Sequence, residues 1–126
     1  MITFLNFFRF LPLGHILNNK IIVIHGGLFS KEGLAINELK NLDRGIDVPT
    51  EGLMTELLWS DPKEGNGWEP SERGAGVYFR EDVTEKFLKE NNLILLIRSH
   101  EVIIEGYKFN IVVKLLLFLV QLIIMI

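Results

Sequence analysis

Residues Lys20–Ser30 read KIIVIHGGLFS, an unbroken apolar run that ends on a histidine and two glycines. Ile21–Ile24 is apolar and β-branched throughout, the composition of a strand covered on both faces. Further along, Leu93–Ile97 (LILLI) repeats the pattern and leads into Arg98-Ser99-His100. Each run therefore hands a histidine to its C-terminal end. In α/β sheets the carboxyl ends of the strands form the ligand crevice. There a rigid strand fixes the direction of an imidazole, and Gly26 and Gly27 let the backbone turn without a Cβ clash. On spacing alone two readings stand. His25 and His100 are paired ligands for a transition metal, or each is a histidine at the edge of the core, satisfied by a backbone carbonyl.

The segments around these runs alternate in period. Leu34–Leu42 (LAINELKNL) has the apolar spacing of an amphipathic helix. Thr50 is placed to cap a second helix that reaches Trp59 and is ended by Pro62. Pro62–Gly76 reads as loop and Val77–Phe79 as a short strand. Glu81–Asn92 is a third helix, with acids in its first turn where they favour the macrodipole and an apolar face of Val83, Phe87 and Leu88. Met1–Leu13 (MITFLNFFRFLPL) is read as a helix that turns its Phe and Leu face inward and stops at Pro12. It lacks the basic start and small-residue cleavage site of a signal peptide. His15 has no partner motif and is read as a surface or helix histidine. Buried strands alternating with helices indicate an α/β layered fold.

The chain has 126 residues, a formal net charge of −3 and no cysteine. That length fits one small domain or part of a larger one. The acidic balance offers no basic face for nucleic acid. Any metal ligands must be His, Asp, Glu or Asn, since thiolates are absent. From Ile111 to Ile126 the composition changes abruptly, with only Lys114 and Gln121 polar. Residues 1–110 are thus expected to form one unit and 111–126 an apolar tail of unrelated composition. The tail falls short of the roughly 20 apolar residues that cross a bilayer comfortably, so membrane association is the least favoured reading.

Four stretches in order carry a resemblance: HGGLFS (His25–Ser30), LLWSDP (Leu57–Pro62), ERGAGVYF (Glu72–Phe79) and IRSHEVIIEGY (Ile97–Tyr107). Together they closely resemble the C-terminal half of the catalytic domain of the phosphoprotein phosphatases, the metal-dependent serine/threonine protein phosphatases. Within that family they look most like the protein phosphatase 5 branch. The resemblance implies part of a calcineurin-like metallophosphatase sandwich, a mixed sheet with flanking helices. It implies a hydrolase acting on phosphoserine and phosphothreonine proteins, with two divalent transition metals in the complete site: manganese, with iron or zinc as the other options. By motif match His25 and His100 are metal ligands, Arg73 grips the substrate phosphate, Trp59 lines the substrate groove and Asp61 is a polar group behind the site. Arg98 is expected to be a structural hydrogen-bond donor. The regulatory partner is not specified, and the expected location is cytoplasm or nucleus.

The family's Gly-Asp-x-His-Gly, Gly-Asp-x-x-Asp-Arg-Gly and Gly-Asn-His-Glu motifs do not occur in this sequence. They would supply the carboxylate and asparagine ligands and the histidine that protonates the leaving oxygen. Asp43-Arg44-Gly45 spells the end of the second motif, yet it follows a helical pattern and reads as a helix-terminating turn with Gly45. Two neutral imidazoles alone hold at most one cation, weakly. The expectation is a truncated and inactive portion of a phosphatase with no catalytic acid of its own. The alternatives are a non-catalytic phosphatase half that acts through a binding partner, and membrane association through the tail.

Overall fold

The structure, a computed structural model, describes residues 4–110 and 115–118. Its centre is a five-stranded mixed sheet in the order β1-β2-β6-β8-β7. These strands are β1 (Gly14–Leu17), β2 (Ile21–Ile24), β6 (Leu95–Arg98), β7 (Tyr107–Asn110) and β8 (Leu115–Phe118). β2, β6 and β8 run parallel, while β1 and β7 close the edges antiparallel. A smaller sheet places β5 (Val77–Phe79) between β3 (Asp61–Pro62) and β4 (Trp68–Pro70). The described residues also form four helices: α1 (Phe4–Phe8), α2 (Ile36–Lys40), α3 (Leu53–Trp59) and α4 (Glu81–Glu90).

The two apolar runs form adjacent parallel strands, with Ile21 opposite Leu95 and Val23 opposite Ile97. Ile22, Ile24 and Leu96 face one core, joined there by Leu28, Phe79 and Phe87. Leu96 and Phe79 are completely buried; full burial of such a side chain is worth roughly 2–3 kcal/mol. α4 packs Phe87 and Leu88 inward with Val83 beside them, the face its spacing indicates. It ends at Glu90, capped by Asn91.

Several local expectations are corrected. α1 covers only Phe4–Phe8, and Phe4, Phe7, Phe8 and Phe10 are 79, 60, 53 and 66% exposed, so the expected inward face is outward. Three of those rings pack together, Phe8 lying edge-on against both Phe4 and Phe7. Thr50 caps nothing. α3 starts after Gly52 with no side-chain cap, and Thr55 Oγ1 instead donates to the Pro49 carbonyl at 2.7 Å. α2 ends at Lys40 with Asn41 as its cap, so Gly45 does not terminate it. Gly45 is held at positive φ, and its N–H donates to the Arg9 carbonyl. The stretch read as loop after Pro62 contains β4. His15 is exposed, as expected, but lies on β1 rather than on a helix.

Within the segment read as an unrelated tail, Leu115–Phe118 pairs in register with β6, Leu96 facing Leu115. Residues 111–114 and 119–126 lie outside the described residues. Among the described residues no helix is long and apolar enough to cross a membrane.

Candidate functional site

β2 and β6 end side by side, and the residues just beyond them meet. His100 Nδ1 lies 3.0 Å from His25 Nε2, with ring centroids 4.9 Å apart and the planes near perpendicular. The Ser99 N–H donates to the His25 carbonyl at 3.1 Å, which ties the two strand ends together. His100 itself has φ +83, a left-handed conformation that costs a non-glycine residue about 1–3 kcal/mol. Gly26 and Gly27 serve close approach rather than a turn. A Cβ on Gly26 would sit 2.7 Å from the Leu58 carbonyl oxygen; one on Gly27 would sit 2.7 Å from that of Ser60 and overlap the Phe79 ring.

Trp59, at the end of α3, is 42% exposed and presents its edge to His100 with centroids 5.6 Å apart. Behind it Asp61 is 2% exposed and is shared by two guanidinium groups. Its Oδ1 accepts from Arg98 Nη2 at 2.7 Å and its Oδ2 from Arg73 Nε at 2.8 Å. Arg98 is buried and also donates to the carbonyls of Gly26 and Ser60 and to Glu101. The Arg73 side chain remains 45% exposed. All five residues singled out in the sequence are thus drawn into one cluster. Arg98 is the structural hydrogen-bond donor expected of it, and Glu101, from the same RSHE stretch but given no role in the sequence reading, completes the cluster. On the His25 side an open groove of about 450 Å³ is bordered by Met54, Leu58, Phe8, Arg44 and Val48.

The surroundings favour the neutral form of both rings. Burial lowers the His25 pKa, and the Arg98 charge lowers it further against the pull of Asp61. Burial likewise lowers His100; Asp61 opposes this, while His25, Arg98 and Arg73 add to it. Neutral imidazole is the form that binds a metal. With metal–nitrogen distances of about 2.1 Å, a 3.0 Å separation corresponds to about 90° at a shared cation, the angle of neighbouring ligands. The pair therefore fits two positions on one ion. Two features show the site is not complete in the described residues. None of them forms a group of three or more His, Cys, Asp or Glu suited to a metal. His100 Nε2 is buried without a hydrogen-bond partner among them, whereas a ligating histidine ordinarily donates its other N–H.

A parallel pair of strands delivers two imidazoles in front of a carboxylate that holds an arginine, an arrangement compatible with the metallophosphatase class. Comparison with known proteins shows the family. Residues 1–103 match the family model described as calcineurin-like phosphoesterase, and the chain belongs to that family. It is 52% identical over 105 residues to serine/threonine-protein phosphatase 5 of Arabidopsis thaliana, covering 83% of this chain and 20% of that protein. It is 48% identical over 101 residues to the serine/threonine-protein phosphatase 4 catalytic subunit of Kluyveromyces lactis, covering 80% of this chain and 32% of the relative. A solved protein serine/threonine phosphatase from Saccharomyces cerevisiae, with similarity to human phosphatase PP5, superposes with a TM-score of 0.83 at 41% identity. It covers 89% of this chain and 35% of that one. The chain thus spans between a fifth and about a third of the length of these curated relatives.

Proposed function

We propose that these residues form the part of a protein serine/threonine phosphatase catalytic domain that contributes two imidazoles to a metal ion and one guanidinium to the substrate phosphate. The observation that carries the reading is the 3.0 Å separation of His25 Nε2 and His100 Nδ1 at adjacent parallel strand ends. Divalent ions, manganese foremost, would supply Lewis-acid activation of water and stabilise negative charge on phosphoryl oxygens. His25 and His100 would hold one such ion through those two nitrogens.

The remaining roles belong to the chain's own polar groups. Asp61 takes the Nε edge of Arg73 and leaves the two terminal amino groups of the fork for phosphate oxygens, a bidentate match that a lysine cannot make. Trp59 supplies an apolar wall beside the rings, against which the carbon portion of a phosphoserine or phosphothreonine side chain packs. Among the described residues no group is placed to protonate a leaving oxygen, because in this reading the facing nitrogens of both imidazoles are given to the ion. A polypeptide of these 126 residues therefore binds one divalent ion weakly and does not turn over substrate.

Cobalt(II) titration followed by visible absorbance, with hydrolysis of a phosphoserine peptide in manganese as the parallel assay, tests both halves. One weakly held ion is expected, lost on His25→Ala or His100→Ala, with hydrolysis no faster than in those variants. Turnover of about 1–1000 per second would overturn the account of the ligand set.

A further inference from the structure

We propose that Arg98 is a positioning residue for Arg73, acting through Asp61, an inference that rests on the assignment of Arg73 to phosphate. Each oxygen of Asp61 is used once: Oδ1 by Arg98 Nη2 at 2.7 Å and Oδ2 by Arg73 Nε at 2.8 Å. The three side chains form a burial gradient, 0% exposed for Arg98, 3% for Asp61 and 45% for Arg73. The innermost member cannot swing. Its Nε donates to the Gly26 carbonyl, Nη2 also reaches the Ser60 carbonyl at 3.2 Å, and Nη1 pairs with Glu101. A guanidinium held at all three nitrogens fixes the plane of the carboxylate it grips. That plane in turn fixes the Nε edge of Arg73, so an otherwise solvent-facing side chain is ordered before phosphate arrives.

Arg98 also bonds directly to neighbours of the other site residues, through the backbone carbonyls of Gly26 and Ser60 and the side-chain carboxylate of Glu101. Gly26 follows His25, Ser60 lies between Trp59 and Asp61, and Glu101 follows His100. The arrangement therefore holds the distance between the imidazole pair and the phosphate arginine, not merely the stability of one loop. Freeing a side chain that must then be immobilised on binding weakens a ligand roughly three- to tenfold.

The test is arginine-selective ¹⁵N NMR of the 126-residue chain titrated with inorganic phosphate, the Arg73 Nε–H signal being assigned by its loss in Arg73→Lys. In the unmutated chain that proton is expected to exchange with water far more slowly than in free arginine and to shift with phosphate. Arg98→Lys, with a cooperative melt retained, is expected to bring it to the free-arginine rate and weaken phosphate three- to tenfold. In an Arg73→Lys background the same change should cost nothing more, whereas a general loosening would add to it. Should Arg98→Lys fail to fold, an Arg73 proton exchanging at the free rate in the unmutated chain overturns the proposal by itself, and a protected one supports it. The two readings fail differently. An Arg73 signal indifferent to phosphate in the unmutated chain removes the phosphate assignment. A phosphate-responsive signal that Arg98→Lys leaves unchanged removes the positioning role alone.

Discussion

His25 and His100 reach the same point from strands whose register would not place them there. Val23 pairs with Ile97, so continuing the parallel ladder sets His25 opposite Ser99, and the Ser99 N–H does donate to the His25 carbonyl at 3.1 Å. Side chains alternate faces along a strand, which would send the next residue, His100, to the other side of the sheet. The left-handed φ of +83 at His100 turns its ring back toward His25. Strain at this residue is what brings the two imidazole nitrogens together.

That strain is measurable. Glycine adopts positive φ without penalty, whereas alanine's Cβ crowds the following carbonyl. His100→Gly should therefore be more stable than His100→Ala by about 1 kcal/mol, the reverse of the usual order in an ordinary extended segment. Urea unfolding of the two variants decides it. An alanine variant as stable as the glycine one would show that position 100 is not held left-handed.

Gly27 is constrained by contact instead. An alanine there would overlap the ring of Phe79, which is itself completely buried, and press on the Ser60 backbone. Overpacking in a closed site costs about 1–3 kcal/mol. Gly33, at φ +66 with nothing within reach of an added Cβ, offers the comparison; alanine there meets only the conformational penalty of about 1 kcal/mol. Thermal melts should rank Gly27→Ala below Gly33→Ala. Phe79→Ala combined with Gly27→Ala should recover part of the clash. Strict additivity of the pair would rule out the Phe79 contact as its cause.

How much of this was legible in the residues follows from where the information resides. Ile21–Ile24 and Leu93–Ile97 announced themselves because parallel strands covered on both faces need continuous apolar runs, and their ends placed His25 and His100. β1 did not, because its Gly14–Leu17 sequence lies mostly exposed at the sheet edge and leaves a weak pattern. A usable signal was present: Asn18 and Asn19 both take positive φ in the turn closed by Lys20 N–H on the Leu17 carbonyl, and asparagine pairs favour that geometry. α1 misled because its Phe spacing is amphipathic whichever way the face points. Asp61, Arg73 and Arg98 were each visible as charged residues. That one carboxylate serves both guanidiniums is a fact about two strands, β3 and β6, meeting the loop that carries Arg73, which no local pattern records.

Asn91 is a second such junction, away from the site. Its Oδ1 accepts from the Ile36 N–H at 2.9 Å, and its Nδ2 donates to the carbonyls of Leu34 and Phe87, both at 3.0 Å. It thereby satisfies groups at the start of α2 and the end of α4 together. Asn91→Ala leaves a donor and two carbonyls without that partner, at a cost of about 1–3 kcal/mol. Asn91→Asp keeps the acceptor but sets a carboxylate against two carbonyl oxygens, so it should be the worse of the two. Hydrogen exchange at the Ile36 amide is expected to quicken in Asn91→Ala. An unaltered rate there, with unaltered stability, would mean the bridge contributes nothing.

The lowered pKa values of His25 and His100 give stability a definite pH dependence. An unfolded imidazole titrates near 6.5, whereas burial first, and then mainly the charge of Arg98 for His25, hold the folded rings below that value. Asp61 pulls both rings the other way, more prominently at His100, where His25 and the two arginines add to the lowering. As pH falls through 6.5 the unfolded chain takes up protons that the folded chain refuses, so unfolding becomes easier. The contribution from these groups is complete above pH 6.5, declines as pH drops through the folded values, and levels off below them. Urea midpoints between pH 8 and pH 5 should therefore fall, in a range above that in which ordinary carboxylates titrate. In the double variant His25→Gln, His100→Gln the same range should be nearly flat. A double variant that loses as much stability over those three pH units as the unaltered chain would place the titrating groups elsewhere in the molecule.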